Sequence, residues 1–151
     1  MKVKDIMKTD VVVVAEESTL LQAAKLMSEH DISGAPVVNK DGELSGIISE
    51  KDLFKALYPS HAEFYDSPGA WIDLDQLEKK TVEASDKLIS DLMTREVVTV
   101  GPDTSLMQVG SIMLVRGIHR VVVVVGKNSK ISGIVTRKDI YRVIIKERLN
   151  I

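Results

Sequence analysis

Two short segments of the chain place a hydroxyl group three residues before a carboxylate. Ser49 precedes Asp52 and Thr136 precedes Asp139, each where an apolar run gives way to an amphipathic segment. One interpretation is a helix cap, in which both side chains bind free backbone amides of the first turn. The other is a ligand site, because a carboxylate accepts hydrogen bonds from a ribose diol and a helix N-terminus favours a phosphate. Because the pair occurs in two copies in register, we favour the ligand-binding interpretation for Asp139.

Basic side chains flank the second of these segments. The five valines Val121 to Val125 and the apolar run Ile131 to Val135 predict a buried β-hairpin around a short loop. The basic residues at its two ends are His119, Arg120, Arg137 and Lys138. Because the strands of a hairpin are antiparallel, we expect these two pairs at the same end of the strands. Such an end suits a phosphate beside the Thr136 hydroxyl.

The chain is a tandem repeat, in which the region of Asp31 to Asp52 corresponds to that of Gly117 to Asp139. Further equivalent positions are Asp5 and Asp91, Met7 and Met93, Leu20 and Leu106, Met27 and Met113, and Lys51-Asp52 and Lys138-Asp139. Agreement over the whole unit indicates two copies of one fold. We predict a first repeat over 1–57, an acidic linker with an inserted helix over 58–86, and a second repeat with an extended C-terminal helix over 87–151.

The pattern predicts the order β-α-β-β-α for each repeat. In the first repeat we expect a strand over Val11 to Val14, a helix over Ser18 to His30 and a hairpin from Ala35 to Ser49. In the linker we expect a helix that starts after Asp73, where Asp73 and Gln76 have the spacing of a capping box. His61, Glu63 and Asp66 lack a fourth ligand, so we predict no metal site.

The two copies resemble cystathionine-β-synthase (CBS) domains, which pair as a Bateman module. The motifs are Asp-Ile-Met at 5–7, Gly-Ala-Pro-Val-Val at 34–38, Gly-Ile-Ile-Ser-x-x-Asp at 46–52 and Gly-Ile-Val-Thr-x-x-Asp at 133–139. Ile118-His119-Arg120 before the valine strand is also similar to the nucleotide-binding repeats of the AMP-activated protein kinase γ subunit. The resemblance covers 3–57 and 89–144. It implies a mixed α/β (α+β) fold of two β-α-β-β-α repeats packed with pseudo-two-fold symmetry.

The resemblance also implies an adenosine-containing ligand in the cleft between the repeats, with the family's aspartate on the ribose. The first copy has Ser33 and Gly34 at the positions that His119 and Arg120 occupy in the second copy. We therefore expect the site that uses His119 and Arg120 to bind the ligand better. Pro36 is likewise replaced by Val122. The predicted ligand-binding residues are Ile118, His119, Arg120, Val121, Thr136, Arg137, Lys138, Asp139, Ser33, Ala35, Pro36, Ser49, Lys51 and Asp52.

Composition is that of an ordinary soluble globular protein, with 44% hydrophobic and 28% charged residues among 151. The chain has no cysteine, which excludes disulfides and thiolate metal sites, and no signal peptide or membrane span is evident. We therefore predict a cytoplasmic protein. Basic residues outnumber acidic ones only in 87–151, which indicates an anionic ligand or partner for that half or an ordinary solvated face.

No motif for catalysis is present, so we predict a stand-alone regulatory module and not an enzyme. The expected ligand is AMP, ADP or ATP, sensed through a change of shape or of oligomeric state. The family implies a back-to-back homodimer, and a regulated enzyme or transporter would be a separate chain. S-adenosylmethionine is the alternative ligand, and a ligand-free docking module is the alternative function. DNA binding is disfavoured by the net charge of −2.

Overall fold

The computed structural model describes residues 1–58, 66 and 73–150 of the chain. The first repeat contains β1 (Val14–Ala15), α1 (Leu20–Glu29), β2 (Gly34–Val38), β3 (Leu44–Ser49) and α2 (Glu50–Leu57). Two helices follow, α3 (Leu74–Ala84) and α4 (Ile89–Leu92). The second repeat contains β4 (Thr99–Val100), α5 (Leu106–Arg116), β5 (Arg120–Val125), β6 (Lys130–Thr136) and α6 (Arg137–Leu149). Both repeats are β-α-β-β-α, and the mixed α/β fold predicted from the sequence is confirmed.

Helices α1, α2, α3 and α6 begin at residues whose side chains bind the first turn. Thr19 Oγ1 accepts a hydrogen bond from the Gln22 amide at 3.2 Å, and Gln22 Oε1 accepts one from the Thr19 amide at 3.0 Å. This two-way cap stabilises the start of α1 by satisfying amides that have no partner within the helix. At the other end of the equivalent helix α5, Gly117 adopts a φ of +64°, a left-handed conformation that glycine adopts without strain.

Each repeat forms its own three-stranded sheet, with the first strand of the hairpin in the centre. The strand orders are β1-β2-β3 and β4-β5-β6. The outer strands β1 and β4 run parallel to β2 and β5, whereas β5 and β6 are antiparallel. Three consecutive residues of each central strand are buried, which explains the apolar sequence at their centres.

The two outer strands are shorter than the sequence predicts. Of the predicted strand Val11 to Val14, only Val14 pairs with β2, and the strand extends instead to Ala15. Pro36 in β2 has no amide proton to donate to the residues before Val14, which helps to end the pairing there. In the second repeat the ladder likewise covers only Thr99 and Val100.

The segment at the start of each repeat, which we call its leader, lies in the compact unit of the other repeat. The first leader is residues 1–8 and the second is residues 87–94. One compact unit consists of Met1–Val11, Gly42–Leu44 and Val97–Ile151. In this unit Val3 is fully buried among the core residues of the second repeat, and its amide donates to the Thr104 carbonyl at 2.9 Å. Lys8 and Ile134 exchange two backbone hydrogen bonds of 3.0 Å.

The other compact unit consists of Val12–Asp41 and Ser45–Glu96. Ile89, from the second leader, is fully buried in the core of the first repeat, and its amide donates to the Ser18 carbonyl at 2.8 Å. Thr94 and Ile47 exchange two backbone hydrogen bonds of 2.9 Å. Each leader thus completes the core of the other repeat. The segments 1–57, 58–86 and 87–151 remain a prediction about the sequence repeats and differ from these compact units.

Helix α3 is the part of the linker that the structure describes. Asp73 Oδ1 accepts hydrogen bonds from the Asp75 and Gln76 amides at 3.1 and 3.4 Å, so the helix starts after Asp73 as predicted. Its last residue, Ala84, is buried in the core of the first repeat. His61 and Glu63 lie outside the described residues. Within the described ranges, no helix has both the length and the apolar character required to cross a membrane.

Candidate functional site

Thr136 and Asp139 form a closed pair at the start of α6. Asp139 Oδ2 accepts two hydrogen bonds from Thr136, one from its amide at 3.0 Å and one from its hydroxyl at 2.6 Å. The Thr136 hydroxyl in turn accepts a bond from the Asp139 amide at 3.2 Å. The cap predicted from the sequence is therefore present. Because Oδ2 is occupied inside the cap, Oδ1 is the carboxylate oxygen that remains for a further partner.

Lys8, from the first leader, lies next to that second oxygen. Its Nζ atom is 3.6 Å from Asp139 Oδ1, and the Lys8 side chain is 63% exposed whereas that of Asp139 is 13% exposed. Partial burial raises the pKa of Asp139, but the hydrogen bonds from Thr136 and the charge of Lys8 outweigh this effect and hold it below its usual value. Asp139 is therefore ionised at neutral pH. Sequence reasoning missed Lys8, because nothing in the sequence showed that the first leader joins the second repeat.

The hairpin brings the predicted basic residues to the same end. Arg120 is paired with Thr136 across the two strands, and the Arg137 amide donates to the His119 carbonyl at 2.8 Å. His119, Arg137 and Lys138 are exposed, and Arg120 is half-buried. Ile118, just before them, is partly buried against the core. The exposed Arg137 and Lys138 therefore present positive charge to an anion in solvent.

Three backbone amides open α6, and two of them have protein partners. The Arg137 amide donates to His119 and the Asp139 amide donates to the Thr136 hydroxyl. In the described part of the chain, the Lys138 amide between them has no hydrogen-bond partner. A free amide at a helix N-terminus is a donor for an anionic oxygen, and the helix dipole favours negative charge there.

In the first repeat, the backbone around Asp52 has the same geometry. Asp52 Oδ2 accepts bonds from the Ser49 amide and hydroxyl, both at 2.9 Å, and the Asp52 amide donates to the Ser49 hydroxyl at 3.3 Å. The Glu50 amide donates to the Ser33 carbonyl at 2.9 Å, as Arg137 does to His119. Lys51 is exposed. Among the described residues no cation forms an ion pair with Asp52, which distinguishes this position from Asp139.

Three predicted ligand-binding residues are buried. Ala35 and Val121 are 0% exposed and belong to the cores of the two repeats, and Pro36 is also fully buried. Their side chains pack inside the protein, so a ligand would meet these positions through the backbone. The exposed residues around the helix starts are the ones that offer side chains to a ligand.

The caps allow a direct test of their contribution to stability. We expect Thr136→Ala to lower the free energy of unfolding by about 0.5–2 kcal/mol, because it leaves the Asp139 amide without its acceptor. Ser105→Ala is a matched control, since Ser105 precedes α5 but its side chain makes no cap hydrogen bond. Urea denaturation of both variants measures the difference. Equal stabilities for the two variants would contradict the assignment of Thr136 as a cap.

No group of three or more potential metal ligands occurs among the described residues. The site therefore consists of a carboxylate, the free Lys138 amide and nearby cations. These are groups that bind a diol and an anion.

Comparisons with known proteins identify the repeats. The CBS domain model matches residues 3–59 and 89–146. MJ1426 of Methanocaldococcus jannaschii is 35% identical over 156 aligned residues, which cover 96% of this chain and 92% of that protein. Other relatives are longer: the chain spans 39% of MJ1232 from the same organism, at 32% identity.

Solved structures of similar fold include two with bound ligands. The CBS domain pair of MJ0100, in complex with 5′-methylthioadenosine and S-adenosyl-L-methionine, has a TM-score of 0.74 at 27% identity, over 97% of this chain and 98% of that chain. Arabidopsis thaliana CBSX2 in complex with AMP has a TM-score of 0.72 at 25% identity, over 97% and 98%.

A third solved structure bears on the similarity to the AMP-activated protein kinase γ subunit. MJ1225 of Methanocaldococcus jannaschii, proposed as an archaeal homologue of the AMP-activated protein kinase γ subunit, has a TM-score of 0.77 at 26% identity. This match covers 95% of our chain and 47% of MJ1225. Two matched repeats, each with the β-α-β-β-α order, account for more than half of the sequence, so the chain belongs to the CBS domain family as a tandem pair.

Proposed function

We propose that this chain is a regulatory module that binds an adenosine nucleotide, AMP, ADP or ATP, where α6 begins in the second repeat. The observation that carries the proposal is the arrangement around Asp139. One oxygen of its carboxylate is held by Thr136, and the other lies 3.6 Å from the Lys8 ammonium. The Lys138 amide one residue before Asp139 has no partner within the described residues.

Each group has a role in this proposal. Asp139 Oδ1 accepts hydrogen bonds from the ribose hydroxyls. Because the carboxylate is charged, these hydrogen bonds are stronger than hydrogen bonds to a neutral acceptor. The Lys138 amide and the positive end of the α6 dipole bind the phosphate. Arg137 and Lys138 add positive charge at the same end, although both are exposed, so that salt weakens their contribution.

The structures of relatives support the ligand class more than the individual ligand. CBSX2 holds AMP, whereas MJ0100 holds 5′-methylthioadenosine and S-adenosyl-L-methionine, and all three contain adenosine. We favour a phosphate-bearing ligand because basic groups gather at the end of the hairpin where α6 starts. The MJ0100 complex makes S-adenosylmethionine the second candidate.

The proposed output is regulation through a separate partner or through self-association. Binding would stabilise one of two arrangements, and the ligand shifts their populations by its difference in affinity for the two. Cytoplasmic location, homodimer formation and the absence of enzyme activity belong to the same proposal. The Asp52 position of the first repeat, with Ser49 and Lys51, is the candidate for a second, weaker site.

Isothermal titration calorimetry of nucleotide-stripped protein tests the proposal. AMP, ADP, ATP, 5′-methylthioadenosine and S-adenosylmethionine are titrated separately into the full chain. We expect saturable binding of at least one phosphate-bearing ligand, tighter than that of 5′-methylthioadenosine. If none of the five ligands binds, the nucleotide proposal fails and a ligand-free docking module becomes the better account.

A further inference from the structure

The contact between Lys8 and Asp139 connects the first leader to the proposed ribose carboxylate. The Lys8 backbone is fixed by its two hydrogen bonds with Ile134, so the origin of its side chain is set within the unit of the second repeat. Its ammonium is 3.6 Å from Asp139 Oδ1. This separation exceeds the usual 2.7–3.2 Å of an N–H···O hydrogen bond, so the pair is a loose electrostatic contact that a ligand can displace.

The Lys8 ammonium has more N–H donors than its contact with Asp139 uses. A lysine ammonium carries three N–H donors on a flexible four-carbon stem, and this contact uses at most one of them. The Lys8 side chain is 63% exposed, so the other donors face solvent. A ribose hydroxyl that binds Asp139 Oδ1 would occupy the oxygen that Lys8 now faces. The ammonium would then be a few ångströms from the sugar, within reach of a 5′-phosphate attached to it.

The first repeat provides the internal comparison. Thr94, in the second leader, holds the position of Lys8, with the same pair of backbone hydrogen bonds, here to Ile47. Threonine has no charge and a short side chain, and no ion pair reaches Asp52 in the described part of the chain. The two positions share their backbone hydrogen bonds but differ in the leader, where only the second site has a lysine beside its carboxylate. They also differ at His119 and Arg120, which Ser33 and Gly34 replace in the first repeat.

We propose that Lys8 is a specificity-determining residue, which makes the Asp139 site select adenosine ligands with a 5′-phosphate over those without one. Resting on the function proposed above, this inference adds a residue of the first leader to the second-repeat groups that favour a phosphate. In the absence of ligand, Lys8 neutralises Asp139. When a nucleotide binds, Lys8 releases Asp139 Oδ1 to the ribose and pairs with the phosphate. A ligand without a phosphate gains nothing from the displaced ammonium.

The test measures the ratio of AMP to 5′-methylthioadenosine affinity by calorimetry on stripped full-length protein. Lys8→Thr introduces the residue of the other leader, and Lys8→Met removes the charge while it keeps an unbranched stem. Lys4→Thr is the matched control, because Lys4 lies in the same leader, is half exposed and pairs with Asp103 at 2.8 Å. A second readout is the pKa of the Asp139 carboxyl, followed by carbon NMR.

In both Lys8 variants we expect the preference for AMP to fall about tenfold, through weaker AMP binding, whereas 5′-methylthioadenosine affinity stays within about twofold. The pKa of Asp139 should rise, since a positive neighbour is lost. Lys4→Thr should change neither quantity. If wild-type protein binds AMP but the preference persists in both Lys8 variants, only this inference is overturned. If the wild type binds neither these two ligands nor ADP, ATP or S-adenosylmethionine, the proposed function fails as well.

Discussion

Asp139→Asn should weaken AMP binding by roughly 10- to 100-fold. The substitution replaces a charged acceptor by a neutral one, and hydrogen bonds to charged groups contribute about 1.5–3 kcal/mol. Asparagine has nearly the same shape, and its carbonyl oxygen still accepts the two hydrogen bonds that Thr136 donates to Oδ2. The start of α6 should therefore remain intact. Calorimetry with stripped protein gives the affinity, and urea denaturation shows that the variant is folded.

Asp103→Asn serves as the control for charge alone. Asp103 belongs to the same compact unit and pairs with Lys2 and Lys4 at 3.0 and 2.8 Å, but it takes no part in the start of α6. We expect its AMP affinity to equal that of the wild type. A folded Asp139→Asn protein that binds AMP within twofold of the wild type would remove Asp139 from the site.

Ile89→Ala should lower the free energy of unfolding by about 2–5 kcal/mol, a large effect for a residue outside both predicted hairpins. Ile89 belongs to the same core cluster of the first repeat as Ile48 and Leu53, although it lies at the start of the second repeat in sequence. Truncation leaves a cavity between these side chains and loses the free energy gained by burying the isoleucine. Denaturation with urea, followed by circular dichroism, measures the change.

Leu88→Ala is the control for this substitution. Leu88 is the neighbouring residue in the second leader, and its side chain is 43% exposed. An exposed position should change stability by no more than about 0.5 kcal/mol. If Ile89→Ala were as mild as Leu88→Ala, the second leader would not be part of the core of the first repeat.

Sequence alone predicted the repeats, their element order and the helix starts, because these depend on local signals. Thr19, Ser49 and Thr136 each cap a helix together with a polar residue three positions later, and that spacing is visible in the sequence. The valine run of β5 is likewise explained by a central strand buried on both faces.

The exchange of the leaders could not be predicted in this way. Val3 and Ile89 are each an apolar residue before a strand, and nothing local shows which of two similar cores receives each one. Lys8 was missed for the same reason, since its contact with Asp139 spans nearly the whole chain. The burial of Ala35 and Pro36 also depends on tertiary packing, whereas that of Val121 was predicted with the buried hairpin.

The most direct test of the central claim is an AMP titration of ¹⁵N-labelled, nucleotide-stripped protein followed by amide NMR. The 16.7 kDa chain suits this method, and the measurement locates the ligand without any substitution. We predict saturable shifts concentrated at the amides of His119, Arg120, Lys138 and Asp139, together with Lys8. An unchanged spectrum, or shifts confined to residues away from the starts of α2 and α6, would contradict the account.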